Sequence, residues 1–124
     1  MTQQEKQLLL KDLCARLPYN VKINIKNDCS QKMVDDILCA YHIGGISYNL
    51  ESRNLRPYLR PMSSMTKEEE DEYQECSNKD IAEAYIHLVP NNRIDWLNEH
   101  HFDYRGLIEK RLALEAPEDM YKTD

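Results

Sequence analysis

Three observations predict an α+β fold. A leucine stripe recurs at helical spacing near the N-terminus, Val21, Ile23 and Ile25 alternate with polar residues, and a second helix start stands at Thr66. Together they predict a small antiparallel sheet of about three strands packed with an N-terminal helix, followed by a helical C-terminal half. At 124 residues the chain fits one domain over 1–124. Within it, residues 1–54 read as helix plus β-hairpin sheet, 55–66 as a proline- and arginine-bearing loop, 67–116 as helices and 117–124 as a loose tail.

The first helix starts where Thr2 and Glu5 stand at capping-box spacing, each able to satisfy a free backbone N–H of the first turn. Leu9, Leu10, Leu13, Cys14 and Leu17 then give one apolar face, read as core. Pro18 ends the helix, because proline lacks the N–H and disfavours helix in the residue before it. Tyr19-Asn20 is a turn, and Lys22, Asn24 and Lys26 alternate with the apolar residues of a half-buried strand. Asn27 to Ser30 is another turn.

From Gln31 two readings compete. Met33, Val34, Ile37 and Leu38 fit a helical turn over 31–38, whereas Ile37, Cys39, Tyr41 and Ile43 alternate. Gly44-Gly45 followed by Ile46, Tyr48 and Leu50 suits a hairpin turn and favours strands. Pro57 and Pro61 then keep the backbone extended before each of them. Thr66 and Glu69 repeat the capping-box spacing, so a surface helix starts at Lys67 with little apolar face beyond Tyr73 and Cys76. A further helix is expected over Asp80–Leu88, a turn at Pro90-Asn91-Asn92, and a short helix carrying Ile94, Trp96 and Leu97. Leu107, Ile108, Leu112 and Leu114 are expected to be buried.

The formal charge of −6 argues against generic nucleic-acid binding, which rests on phosphate neutralisation by Lys and Arg. Lys67 to Glu75 alone holds six acids against one lysine, so the remaining chain is close to balanced. No apolar run approaches the roughly 18 residues of a membrane helix, and the N-terminus carries no leader pattern. A protein without membrane association is expected. Cys14, Cys29, Cys39 and Cys76 are widely spaced without a C-x-x-C pair or a local base, which predicts reduced, half-buried thiols.

Three constellations carry candidate chemistry. Arg53, Arg56 and Arg60 precede Ser63, Ser64 and Thr66, and guanidinium forks with hydroxyls at a helix start suit an anionic ligand. The competing use is architectural: the arginines pair with the acidic strip of 67–75 and the hydroxyls cap the helix, whose glutamates repel an anion. That use is favoured. His100, His101 and Asp103 carry metal-ligand chemistry, with Asp95 and Glu99 on a nearby helix face, but no H-E-x-x-H spacing. Trp96, Phe102, Tyr104 and Arg105 could stack a base or nucleotide ring, although anchoring a core is the simpler use of the chain's one Trp and one Phe. No G-x-S-x-G, P-loop or G-x-G-x-x-G occurs, so no catalytic residue is assigned and no cofactor is expected.

The phrases KDLCARLPY at Lys11–Tyr19, LRPYLRPMSSMT at Leu55–Thr66 and HHFDYRGLIEKRLALEAPEDMYK at His100–Lys122 carry a resemblance. In them the chain resembles a family of small uncharacterised proteins from Bacteroides-type gut bacteria, their prophages and their phages. The resemblance covers about half the residues and implies glycine where this chain has Asn20, Arg111 and Asp119. Residues 27–50 and 77–92 fall outside it and are where members would differ in partner. It transfers no catalytic residue. It implies a phage or prophage accessory protein in the cytoplasm of a bacterial host cell. The expected role is a non-enzymatic binding module for a host protein or a small nucleotide or other anionic ligand, including a counter-defence role. One alternative is a small metal-dependent hydrolase-like enzyme centred on His100, His101 and Asp103. Another is a structural subunit of a larger assembly, for which a homo-oligomer is possible.

Overall fold

In the computed structural model, residues 1–77 and 93–121 are described. The first helix, α1, spans Gln3–Arg16. Its capping box is closed: Thr2 N–H donates to Glu5 Oε1 at 2.8 Å and Glu5 N–H to Thr2 Oγ1 at 3.1 Å. Pro18 stands inside a 3-10 turn over Leu17–Tyr19, and Asn20 follows in the left-handed region. The buried face is Leu9, Asp12, Leu13 and Arg16, so two charged residues share it with two leucines. Cys14, expected on that face, is exposed.

Strand β1, Lys22–Lys26, turns Ile23 and Ile25 inward, as the alternation predicts. It pairs antiparallel with β2, Met33–Ile37, in a register that sets Lys22 opposite Ile37 and Lys26 opposite Met33. The strand reading of 31–38 therefore holds for Met33–Ile37. The hairpin does not. Ala40–Gly44 forms α2 and Ile46–Glu51 forms α3, with the glycine pair at their junction. A two-residue hairpin of type I′ needs positive φ at both central residues, and Gly45 has a φ of −114°.

The third strand lies where a connecting loop was expected. Arg56–Pro61 is β3, paired antiparallel with β1 through Ile23–Pro57 and Asn24–Arg56. Proline is tolerated in a strand where no ladder N–H is needed. Pro57 is fully buried, and the other positions of β3 are shared among short partners. Helices α4, Lys67–Ser77, and α5, Arg93–Glu99, follow. Beyond α5 the described residues are not helical but run in turns and two two-residue strands. β4, Phe102–Asp103, joins β3 in parallel at Arg60 and Pro61, and β5, Leu114–Glu115, joins it in parallel at Tyr58 and Leu59. The sheet is thus mixed, with strand order β2-β1-β3-β4 and β5 on β3. The expected helix over Asp80–Leu88 and the turn at Pro90-Asn91-Asn92 lie outside the described residues.

The main core joins Leu9 and Leu13 of α1 to Ile23, Ile25, Leu38, Leu50, Leu55, Leu59, Leu107 and Leu112. Burying each leucine contributes about 1.5–3 kcal/mol. Leu114 is not part of it, being 39% exposed on β5. A second cluster packs Trp96, Leu97 and Phe102 with Met65, Tyr73 and Tyr104. The segment read as a loose tail is held by Tyr121. Its hydroxyl donates to the Tyr58 carbonyl at 2.7 Å and accepts from Lys22 N–H at 2.8 Å. Lys22 and Tyr58 are the next positions after the Ile23–Pro57 pair, so the phenol extends the β1–β3 ladder by one rung.

Candidate functional site

The arginine–hydroxyl stretch is distributed rather than convergent. Arg53 donates to the Lys26 carbonyl at 2.8 Å and to Asn49 Oδ1 at 3.3 Å, with Asp28 at 3.7 Å. Arg56 donates to the Leu55 carbonyl at 2.7 Å, and burial lowers its pKa. Arg60 makes a two-pronged pair with Glu69, both bonds at 2.7 Å, and its guanidinium lies 4.2 Å from the Phe102 ring centre. Hydrogen bonds from Arg60, more than any other cause, hold the Glu69 carboxyl down to about 2. Thr66 caps α4 through Glu69, Ser64 Oγ donates to the Pro61 carbonyl, and Ser63 is exposed. The three arginines are occupied by acids and carbonyls, which is the architectural use.

His100, His101 and Asp103 do not assemble a metal site, and no group of three or more metal-ligating side chains occurs among the described residues. His100 stacks on Trp96 at 4.0 Å, with Nδ1 2.9 Å from the Trp96 carbonyl. His101, in the left-handed region, stacks on Tyr121 at 3.9 Å. Asp103 accepts from Leu107 and Ile108 N–H at 2.9 and 3.0 Å, capping the turn there. Three neighbouring residues thus serve three separate tasks, because the reversal at His101 turns its ring away from its neighbours' partners.

The aromatic group is interior. Trp96 stacks between Tyr73 at 5.6 Å and Phe102 at 5.7 Å, and Phe102 is fully buried. Tyr104 has Arg16 and Arg105 guanidiniums 5.3 and 4.8 Å from its ring centre. No ring of Trp96 or Phe102 is open to a nucleotide.

Within residues 28–53 a further group of side chains is presented to solvent, although Leu38, His42, Asn49 and Leu50 are buried. Strand β2 ends the sheet order, and all five of its residues are exposed. Met33, Val34 and Ile37 are apolar, and Tyr41 and Tyr48 continue the surface onto α2 and α3 at 77% and 55% exposure. Beside them a shallow depression is lined by Asp28, Tyr41, Tyr48, Asn49, Arg53 and the two glycines. The Tyr48 hydroxyl donates to Asp28 at 3.0 Å, which raises its pKa. Periodicity alone does not show this surface, since the same apolar residues read equally as an inward hairpin.

Cys39 does have a local base: its Sγ lies 3.5 Å from His42 Nδ1, and His42 Nε2 lies 3.5 Å from Asp36 Oδ2. The C-x-x-H spacing at a helix start was the available signal. Cys14, Cys29 and Cys39 are free and exposed rather than half-buried.

No family model matches the chain, and no curated protein or solved structure matches it either. Among the described residues no helix is long and apolar enough to cross a membrane.

Proposed function

We propose that the protein is a non-enzymatic binding module that takes an extended segment of a partner protein along the free edge of β2. The observation that carries this is a terminal strand, exposed at every residue, with Met33, Val34 and Ile37 at 44%, 38% and 48% exposure. An edge strand offers unpaired backbone donors and acceptors, and apolar side chains on it add pockets for a partner's side chains. Most soluble proteins blunt such an edge. Here Asp35 and Asp36 stand in its middle, with Asp28 nearby, and they favour a partner segment carrying Lys or Arg among apolar residues.

A small anionic ligand is disfavoured by the same charges and by the occupied arginines. The metal-dependent alternative lacks an assembled ligand set among the described residues. The resemblance to phage and prophage proteins makes a host protein the natural partner, including one of a defence system.

The test compares wild-type protein with the double variant Met33→Lys, Ile37→Lys in pull-downs from a bacterial host lysate. Both residues are exposed, so unfolding temperatures should agree. The expected result is a protein retained by the wild type and lost by the variant. Identical retention, or none, sinks the reading. Light scattering separates the structural-subunit alternative: a stable oligomer of the wild type that the variant breaks would assign β2 to self-pairing.

A further inference from the structure

Cys39 stands where β2 has ended and α2 begins, in extended backbone with φ −141° and ψ 174°. The three-residue step to His42 brings both side chains to one face of the first helical turn. The site is built firmly. Leu38 N–H donates to the Val21 carbonyl at 2.9 Å, and buried Asn49 Nδ2 donates to the His42 carbonyl at 2.8 Å. His42 is 4% exposed, whereas Cys39 is open to solvent. Cys39 is therefore accessible while the base beside it is fixed and shielded.

The tautomer follows from the backbone. Cys39 N–H donates to His42 Nδ1 at 3.1 Å, so Nδ1 presents a lone pair and the ring proton is on Nε2. Nε2–H faces Asp36 Oδ2 at 3.5 Å. Nδ1 is also 3.5 Å from Sγ, so its one lone pair is shared by Cys39 N–H and the thiol, and it takes the thiol proton as the N–H bond loosens. Cys14 and Cys29 are also exposed free thiols, yet no base stands at either sulfur among the described residues.

We propose that Cys39 is a base-assisted nucleophile that exchanges with small disulfides, with His42 as its proton acceptor and Asp36 as the residue positioning the imidazole. Attack on an acyl carbon requires donors already aimed at the developing oxyanion. Attack on sulfur requires only a reachable thiol and a destination for its proton. Cys39 is not among the residues lining the depression beside Arg53, and an open surface suits a small disulfide such as oxidised glutathione. In the step, Sγ attacks one sulfur of R–S–S–R. The Sγ–S bond forms and the original S–S bond breaks. The Cys39 proton passes to His42 Nδ1 and then to the leaving thiolate, giving the mixed disulfide and one RSH. The oxidation of Cys39 balances the reduction of the departing sulfur, and no other reactant takes part. The site shares Asp36 with the β2 edge but needs no partner segment there, and its readout at Cys39 is separate from the pull-down.

The experiment incubates the full chain with oxidised glutathione near neutral pH and follows each cysteine by peptide mass spectrometry, with Cys14 and Cys29 as internal controls. Cys39 is expected to react about tenfold faster than either, a modest share of what a placed base supplies. Asp36→Asn is expected to slow Cys39 while leaving the control cysteines and the unfolding temperature unchanged. His42→Ala is expected to lose the advantage, and added imidazole to restore it. Pyrazole, of the same shape but far less basic, is expected not to. Equal rates at the three cysteines in the wild type overturn the proposal, as does equal rescue by imidazole and pyrazole. The wild-type comparison stands even if His42→Ala does not fold.

Discussion

Among the described residues, five with side chains hold a positive φ, and two of them are positions at which the resemblance implies glycine: Asn20 at 56° and Arg111 at 62°. Asparagine tolerates that region, whereas for most side chains it costs about 1–2 kcal/mol through the contact of Cβ with the following carbonyl. Arg111 is exposed and its N–H closes a turn onto the Ile108 carbonyl at 3.1 Å, which glycine retains. Arg111→Gly is therefore expected to raise stability by about 1 kcal/mol in urea unfolding, after glycine's entropy cost is subtracted. His101, at a φ of 65°, adds a titration. Burial, reinforced by Arg16, lowers its pKa from 6.5 to about 4. Between those values the unfolded chain binds the proton and the folded chain does not, so stability falls as pH drops from 6.5 to about 4 and its contribution is then constant. His101→Asn, which suits the same backbone, is expected to remove that part of the pH slope in thermal unfolding followed across this range.

At the scale of elements, the start of α4 combines the Thr66 cap with the Arg60–Glu69 pair, tying β3 to the helix. The Glu69 carboxyl is lowered from 4.5 to about 2, mainly by Arg60. Its contribution is fully present above about pH 4.5 and is lost as pH falls through about 2. Glu69→Gln is expected to be less stable than the wild type at neutral pH, with the two unfolding curves converging near pH 2. These local devices were legible in the chain because a capping box is written within four residues. So were α1, with its cap and leucines, and β1, with its alternation. The glycine pair misled because two glycines also permit the helix junction at Gly45, and only its φ distinguishes them. β3 hid behind Pro57 and Pro61, since its partners are remote: β1 lies more than thirty residues upstream, and β4 and β5 come after α5. The site followed the same rule. The Arg60–Glu69 pair was foreseeable from the acidic strip, whereas the carbonyls that hold Arg53 and Arg56 were not, and Asp36 reaches His42 only once β2 is a strand.

Over the whole molecule, the two apolar clusters are joined by charge inside α1. Asp12 and Arg16 are both fully buried, and Arg16 Nε donates to Asp12 Oδ2 at 2.8 Å. Arg105 Nε donates to the other carboxylate oxygen at 3.0 Å, and Arg16 Nη2 reaches the Phe102 carbonyl at 2.6 Å. From Arg105 the network runs to the Tyr104 hydroxyl at 2.9 Å and on to Asn98 Oδ1 at 2.9 Å. One carboxylate thus pairs with two guanidiniums, one on each oxygen, and fastens α1, in the main core, to the segment bearing Phe102 in the second cluster. In the chain an acid and a base four apart on a helix read as a surface pair, and only the packed structure shows both buried. Asp12→Ala leaves Arg16 buried without its counter-charge, which typically costs about 3–5 kcal/mol, a large share of the net stability of a domain this size. The two clusters are then expected to uncouple. Trp96, the only tryptophan, reports the second cluster by fluorescence, while far-UV circular dichroism is weighted toward α1 and the sheet. Coincident urea transitions are expected for the wild type, and an earlier fluorescence transition for Asp12→Ala. Coincident transitions in both proteins, with a midpoint shift worth less than about 1 kcal/mol, would show the network to be as dispensable as an exposed ion pair.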